Sequence, residues 1–153
     1  MQSYEHRQPV ARWISILMAC VAALIILLAL NDPRAGVRLY LSVILAIVAA
    51  AWWMTSELIT RVDASGVSWS LAWGVPGGRI PFERIARIER VRLNALERGG
   101  AGWHWTVWHG WLWNVGGAQA VEIFRTDGGR TTLGTDDPQG LADAIDRFRR
   151  GAA

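Results

Sequence analysis

Two histidines, His104 and His109, stand five residues apart in the stretch GWHWTVWHGWLWNVGG that runs from Gly102 to Gly117, and an acidic pair, Asp136 and Asp137, follows near the C-terminus. Imidazoles and carboxylates can ligate a divalent metal or serve as general acids and bases. A zinc site needs three or four ligands, and no cysteine or carboxylate lies between the histidines. Glu97 and Glu122 could complete such a set, yet nothing in their spacing ties them to it. On a strand, positions an odd number apart face opposite sides, so the two imidazoles diverge. No Ser, Cys or Asp stands at a recognised spacing from either histidine for nucleophilic catalysis. Asp137 immediately precedes Pro138, which suits an N-cap before a first helical position. These residues argue against an enzyme, and no metal or cofactor is expected.

Aromatic and basic residues are the stronger candidates. Trp103, Trp105, Trp108, Trp111 and Trp113 make up half of the chain's ten tryptophans. If residues 103–108 and 111–115 are strands turning at His109 and Gly110, then Trp103, Trp105 and Val107 share one face of their strand, and Trp111, Trp113 and Val115 one face of theirs. A domain of about 95 residues cannot bury five indoles of about 200 Å² each together with Trp69, Trp73, Phe82 and Phe124. Some must face outward, towards a lipid head-group layer or a partner protein. Stacking on nucleic acid would want a basic groove, and residues 102–117 contain no arginine, so no nucleic-acid partner is expected. A separate cluster, Arg79, Arg84, Arg87, Arg90, Arg92 and Arg98, is interrupted only by Glu83, Glu89 and Glu97. It reads equally as a solvated face or as a contact for anionic lipid head groups.

Those residues must be positioned by what surrounds them. Trp13 to Asn31 and Leu39 to Ser56 are uncharged runs, and at about 1.5 Å of helical rise per residue each reaches across a hydrocarbon core of about 30 Å. The expected organisation is an N-terminal tail over 1–12, a transmembrane hairpin over 13–56 with spans 13–31 and 37–56, and a β domain over 57–150. A cleaved signal peptide fits poorly, because LALNDP offers no small-residue cleavage site and a second span follows at once. Pro33 and Gly36 mark a tight reversal, so both termini share one side. Arg7, Arg12 and Arg61 at the outer ends, against Arg34 and Arg38 in the loop, favour the cytoplasm. Trp13, Trp52 and Trp53 fall at one membrane face as interfacial anchors.

All sixteen basic residues are arginine, which excludes a Schiff-base lysine and a P-loop lysine. Over residues 57–153 twelve arginines oppose eleven carboxylates, and the one cysteine, Cys20, lies inside the first span. Beyond Ser65 the periodicity shortens. LITRVDASGVSWSLAW and AVEIFRTDGGRTTLGT read as hairpins, with a brief strand at Arg79 and Ile80 and a strand over Arg87–Leu93. NALERGGAG reads as a glycine-rich loop, and 138–149 as an amphipathic helix with Leu141, Ala142, Ile145 and Phe148 on one face. About six or seven strands closed by one helix suggest a bent sheet or partly open barrel.

The segments GRIPFERIARIERV, WNVGGAQAVEIFRTDGG and LGTDDPQGLADAI resemble the bacterial pleckstrin-homology-like domains found in small membrane proteins, over roughly residues 58–149. The resemblance implies a seven-stranded bent barrel capped by a C-terminal helix, with a binding or scaffolding role. Phosphoinositide recognition in eukaryotic relatives depends on basic residues in the loop joining the first two strands. Here that loop is Ala64, Ser65 and Gly66, so this role does not carry over. The expected protein is a non-enzymatic, multi-pass protein of the bacterial plasma membrane, presenting this domain to a partner protein, to the membrane surface or to copies of itself. The alternative is a membrane-embedded enzyme or transporter accessory subunit acting on a lipid or hydrophobic small molecule. That reading would want charged residues inside the apolar runs, and Trp13 to Asn31 and Leu39 to Ser56 hold no Asp, Glu, His, Lys or Arg.

Overall fold

The computed structural model describes residues 3–94, 97 and 101–152, in an α+β arrangement. In chain order the elements are β1 (Tyr4–Pro9), α1 (Arg12–Asn31), α2 (Ala35–Met54), β2 (Glu57–Asp63), β3 (Gly66–Leu71), β4 (Gly77–Ile80), a 3-10 turn (Phe82–Arg84), β5 (Ile85–Arg92), β6 (Ala101–Thr106), β7 (Gly110–Val115), β8 (Gln119–Arg125), β9 (Arg130–Gly134) and α3 (Pro138–Ala152).

The stretch read as an N-terminal tail contains a strand. β1 pairs antiparallel with β2, from Tyr4 opposite Val62 to Pro9 opposite Glu57. YEHRQP carries no apolar alternation to announce it; the strand is made by its partner rather than by its own pattern. Arg61 donates to Glu5 at 2.8 Å directly across the pair, and Arg7 reaches Glu57 at 3.7 Å. Arg61 and then Arg7 hold the Glu5 carboxyl below its ordinary pKa. These pairs are exposed and contribute little to stability, so register rests mainly on the backbone ladder and the inward side chains.

Both helices are thus an insertion between two paired strands. α1 and α2 run antiparallel about a turn in which Asp32 accepts the Arg34 N–H at 2.8 Å and the guanidinium at 2.7 Å. They are long and apolar enough to cross a membrane, and they lie almost wholly outside the core: Leu30 is 78% and Leu39 69% exposed. α2 ends two residues earlier than the pattern implied, because Thr55 and Ser56 turn the chain into β2, with the Thr55 N–H and hydroxyl both bonded to Ala51 O.

β1 to β4 form one sheet in sequence order, and the second runs β5-β8-β9-β7-β6, with β7 parallel to β9. The expected seven-stranded barrel is therefore replaced, among the described residues, by nine strands in two sheets that do not close. Leu58, Val62, Val67 and Leu71 face Val115, Val121, Ile123 and Leu133 in one core, and α3 adds Leu141, Ala144, Ile145 and Phe148. β5 and β6 stand at opposite edges of their sheet. Leu93, just after β5, packs with Leu112 and Ala120, and Val91 lies against them. Most of the glycine-rich loop read from NALERGGAG, including Arg98, lies outside the described residues.

At the start of α3, Gly140 N–H donates to Asp137 Oδ1 at 2.9 Å, and Tyr4 donates its hydroxyl to Oδ2 at 3.2 Å. Burial, reinforced by Asp137, pushes the Tyr4 phenol up from its ordinary pKa. One carboxylate thus caps α3 and pins β1. Asp137→Ala should cost about 2 kcal/mol in denaturant unfolding, Tyr4→Phe about 1 kcal/mol, and the double variant less than their sum, since both changes remove the same bond. Additive losses would contradict the shared role.

Candidate functional site

β6 and β7 form the hairpin that carries the tryptophans. Trp103 stands opposite Trp113 and Trp105 opposite Trp111, so strand alternation sends all four to one face. Trp113 enters the core, 7% exposed, where Trp69 of β3 meets it edge-on with ring centroids 5.9 Å apart. Trp103 stacks on the outer side of Trp113 at 5.9 Å and 18°. Further along, Trp111 is 48% and Trp105 60% exposed, and Trp108 and Val107 at the turn reach 71% and 72%. The five indoles of the stretch divide into one core ring, Trp113, one exposed ring stacked on it, Trp103, and three further rings that face out.

The hairpin has a defined direction relative to the helices. At its base the Ala11 N–H, one residue before α1, donates to Val115 O at 2.8 Å. A Cβ on Gly102 would lie 3.6 Å from Thr55 Cγ2 at the end of α2, and Gly116, at φ 94°, leaves room for Ile14, which a Cβ there would meet at 2.6 Å. The turn at Val107 to His109 lies at the other end of the strands, about 17 Å away at about 3.4 Å per residue. The most exposed indoles of this hairpin are therefore remote from the helix ends along the strand.

Between the sheets a groove of about 310 Å³ opens where β4 faces the tryptophan strands, lined by Trp69, Trp103, Trp111, Trp113, Arg79 and Arg125. Trp69 Nε1 is buried without a hydrogen-bond partner. Gly78 allows the close approach, since a Cβ there would come within 2.5 Å of the Trp69 ring. Arg125 is held by Asp127 at 3.1 Å, and the Gly129 N–H, followed by Arg125, keeps the Asp127 carboxyl below its ordinary pKa.

The opposite face of the sheet brings together residues whose spacing gave no reason to group them. His109 Nε2 lies 3.4 Å from Glu97 Oε1, and its Nδ1 lies 3.7 Å from Glu122 Oε2. Glu97 belongs to the connection between β5 and β6, His109 to the β6–β7 turn and Glu122 to β8. The two carboxylates flank opposite nitrogens of one ring, and among the described residues no three such side chains are placed to hold a metal. Glu122 is 5% exposed with Oε1 unpartnered, and the His109 Nδ1 that faces it is likewise buried without a hydrogen-bond partner.

The arginine cluster is divided rather than gathered. Arg87 lies over the Phe124 ring at 3.8 Å and pairs with Glu89, whereas Arg90 reaches Gln139 of α3. Arg79 belongs to the groove, and Arg84 and Arg92 are exposed at the two ends of β5. Trp13 and Trp52 line a cleft of about 290 Å³ between the helices, while Trp53 turns to the β domain. Asp137 and Pro138 begin α3 as described above. Compared with known proteins, the chain matches no family model, no curated protein and no solved structure.

His109→Gln should destabilise the domain by more than about 1 kcal/mol, because it removes the ring that packs between the Glu97 and Glu122 carboxyl groups and leaves Glu122, buried, without that neighbour. Adding Glu122→Gln should restore much of the loss, as read by denaturant unfolding of both variants. A double variant no more stable than His109→Gln alone would contradict the pairing.

Proposed function

We propose that this chain is a non-enzymatic integral membrane protein of the bacterial plasma membrane, in which two spans hold a pleckstrin-homology-like domain at the cytoplasmic face and the β6–β7 hairpin docks a partner protein. The observation that carries this reading is the position of Trp105, Trp108 and Trp111, exposed at the end of the hairpin remote from α1 and α2. Rings placed there are poorly sited to rest in the head-group layer beside Trp13 and Trp52. Exposed indoles next to a preformed groove are the kind of anchor that dominates protein interfaces.

Membrane spanning is supported by the exposure of α1 and α2, since two helices of this apolarity left outside the core have no other compatible solvent. The pairing of β1 with β2 argues against cleavage after α1, because cleavage would strip an edge strand from the sheet. Arg7, Arg12 and Arg61 at the domain end favour the cytoplasm. The pleckstrin-homology-like assignment draws support from two largely antiparallel sheets and a C-terminal helix that shares their core. The open sheets and the parallel β7–β9 pair depart from it.

Photocrosslinking tests the docking surface. A benzophenone residue replacing Trp105 or Trp108 in the full chain should yield a defined protein adduct in cells. Trp105→Ser with Trp108→Ser should abolish copurification of that protein while leaving the unfolding midpoint unchanged, since truncating central indoles costs an interface about 2 kcal/mol each. Adducts to lipid alone would overturn the reading, and an adduct to a second copy of this chain would identify the partner as itself.

A further inference from the structure

A second aromatic feature lies at the helix end of the domain. β3 runs back towards the helices, and the loop Ala72–Pro76 that follows it closes on itself through Gly74 N–H to Leu71 O at 2.8 Å and Leu71 N–H to Pro76 O at 3.1 Å. Its tip presents Trp73, 55% exposed, and Val75, 67% exposed. The Trp73 ring meets Trp53, in the last turn of α2, edge-on with centroids 5.1 Å apart. No charged residue occurs between Asp63 and Arg79, in a chain that is 19% charged as a whole. An uncharged loop with two large apolar side chains pointing outward would be a liability in water. Beside the aromatic end of a membrane span it has a matching environment, because indoles partition to the head-group layer and that layer is wet enough to satisfy the loop's free backbone groups.

We infer that the Ala72–Pro76 loop is a third membrane anchor, dipping Trp73 and Val75 into the interfacial layer beside Trp53. The inference rests on the reading of α1 and α2 as spans. The occupant of this surface is the bilayer rather than a protein, because the loop continues the aromatic band of Trp13, Trp52 and Trp53 and carries no charged side chain. Having no charge of its own, the loop should bind zwitterionic and anionic bilayers alike. Its effect is to fix the tilt of the β domain, so that two tethers from α1 and α2 and one loop hold the domain at three points while the β6–β7 turn stays clear.

Collision accessibility of a spin label tests this on the full chain in liposomes. In a Cys20→Ala background, Val75→Cys carries the nitroxide, with Leu24→Cys inside α1 and Ala64→Cys at the β2–β3 turn as references. The label at residue 75 should collide with oxygen more, and with a water-soluble nickel chelate several-fold less, than the label at residue 64, in phosphatidylcholine with or without phosphatidylglycerol. A water-like reading at 75 with a lipid reading at 24 would overturn the loop anchor and leave the spans intact. Water-like readings at both would overturn the spans and the anchor together. Shielding from both reagents at 75 would mean cover by protein, which also contradicts the proposal.

Discussion

The structure depends on the ladder between β1 and β2. These strands are separated in the chain by a helical hairpin of two 20-residue helices, yet they pair over six positions, with Pro9 opposite Glu57 at the helix end. Closing so long an insertion costs entropy that grows only slowly with length, and the antiparallel helices lower it further by returning the chain to where it left. The ladder fixes the spacing of the helix ends, and the helices in turn bring the strands together. It also joins the N-terminus to the far end of the chain, since Tyr4 on β1 bonds Asp137 at the start of α3 and His6 meets Asp136 beside it.

From that joint both sheets acquire a helix-proximal and a remote edge. Val10 bonds Ser56 and Ala11 bonds Val115, so β2 and β7 meet the helices with no linker between. Trp53 with Trp73, and Thr55 close to Gly102, lie at this edge. The β2–β3 and β6–β7 turns lie at the other. In the proposed setting the lower edge serves the bilayer and the upper one serves a partner. The Trp69–Trp113–Trp103 cluster connects the core to the exposed rings, so the proposed docking surface is rooted in the core.

Sequence patterning carried much of this and missed the rest for identifiable reasons. Continuous apolar runs announce α1 and α2, the Gly-containing turns at Ser65 and Gly128 announce two hairpins, and Asp137 with Pro138 marks the start of α3. β1 has no such signal, because its ladder partner lies some fifty residues away and its side chains are polar. The meeting of Glu97, His109 and Glu122 was equally hidden, as it follows from β5 and β6 occupying opposite sheet edges, a long-range choice that local spacing does not encode. The tryptophan stretch showed that some rings must face out, but only the register of β6 against β7 separates the buried Trp113 from the exposed Trp105. The arginine run reads as one patch in the sequence, whereas alternation along β5 sends Arg87 to one face and Arg90 to the other.

The central claim is that two spans place the whole β domain on one side of a membrane and the turn between the helices on the other. Single cysteines at Arg34 and at Ala64, in a Cys20→Ala background, can be exposed to a membrane-impermeant thiol reagent in intact spheroplasts and again after permeabilisation. Arg34→Cys should label in intact spheroplasts, and Ala64→Cys should label only once the membrane is opened. Equal labelling of the two sites before permeabilisation would contradict it.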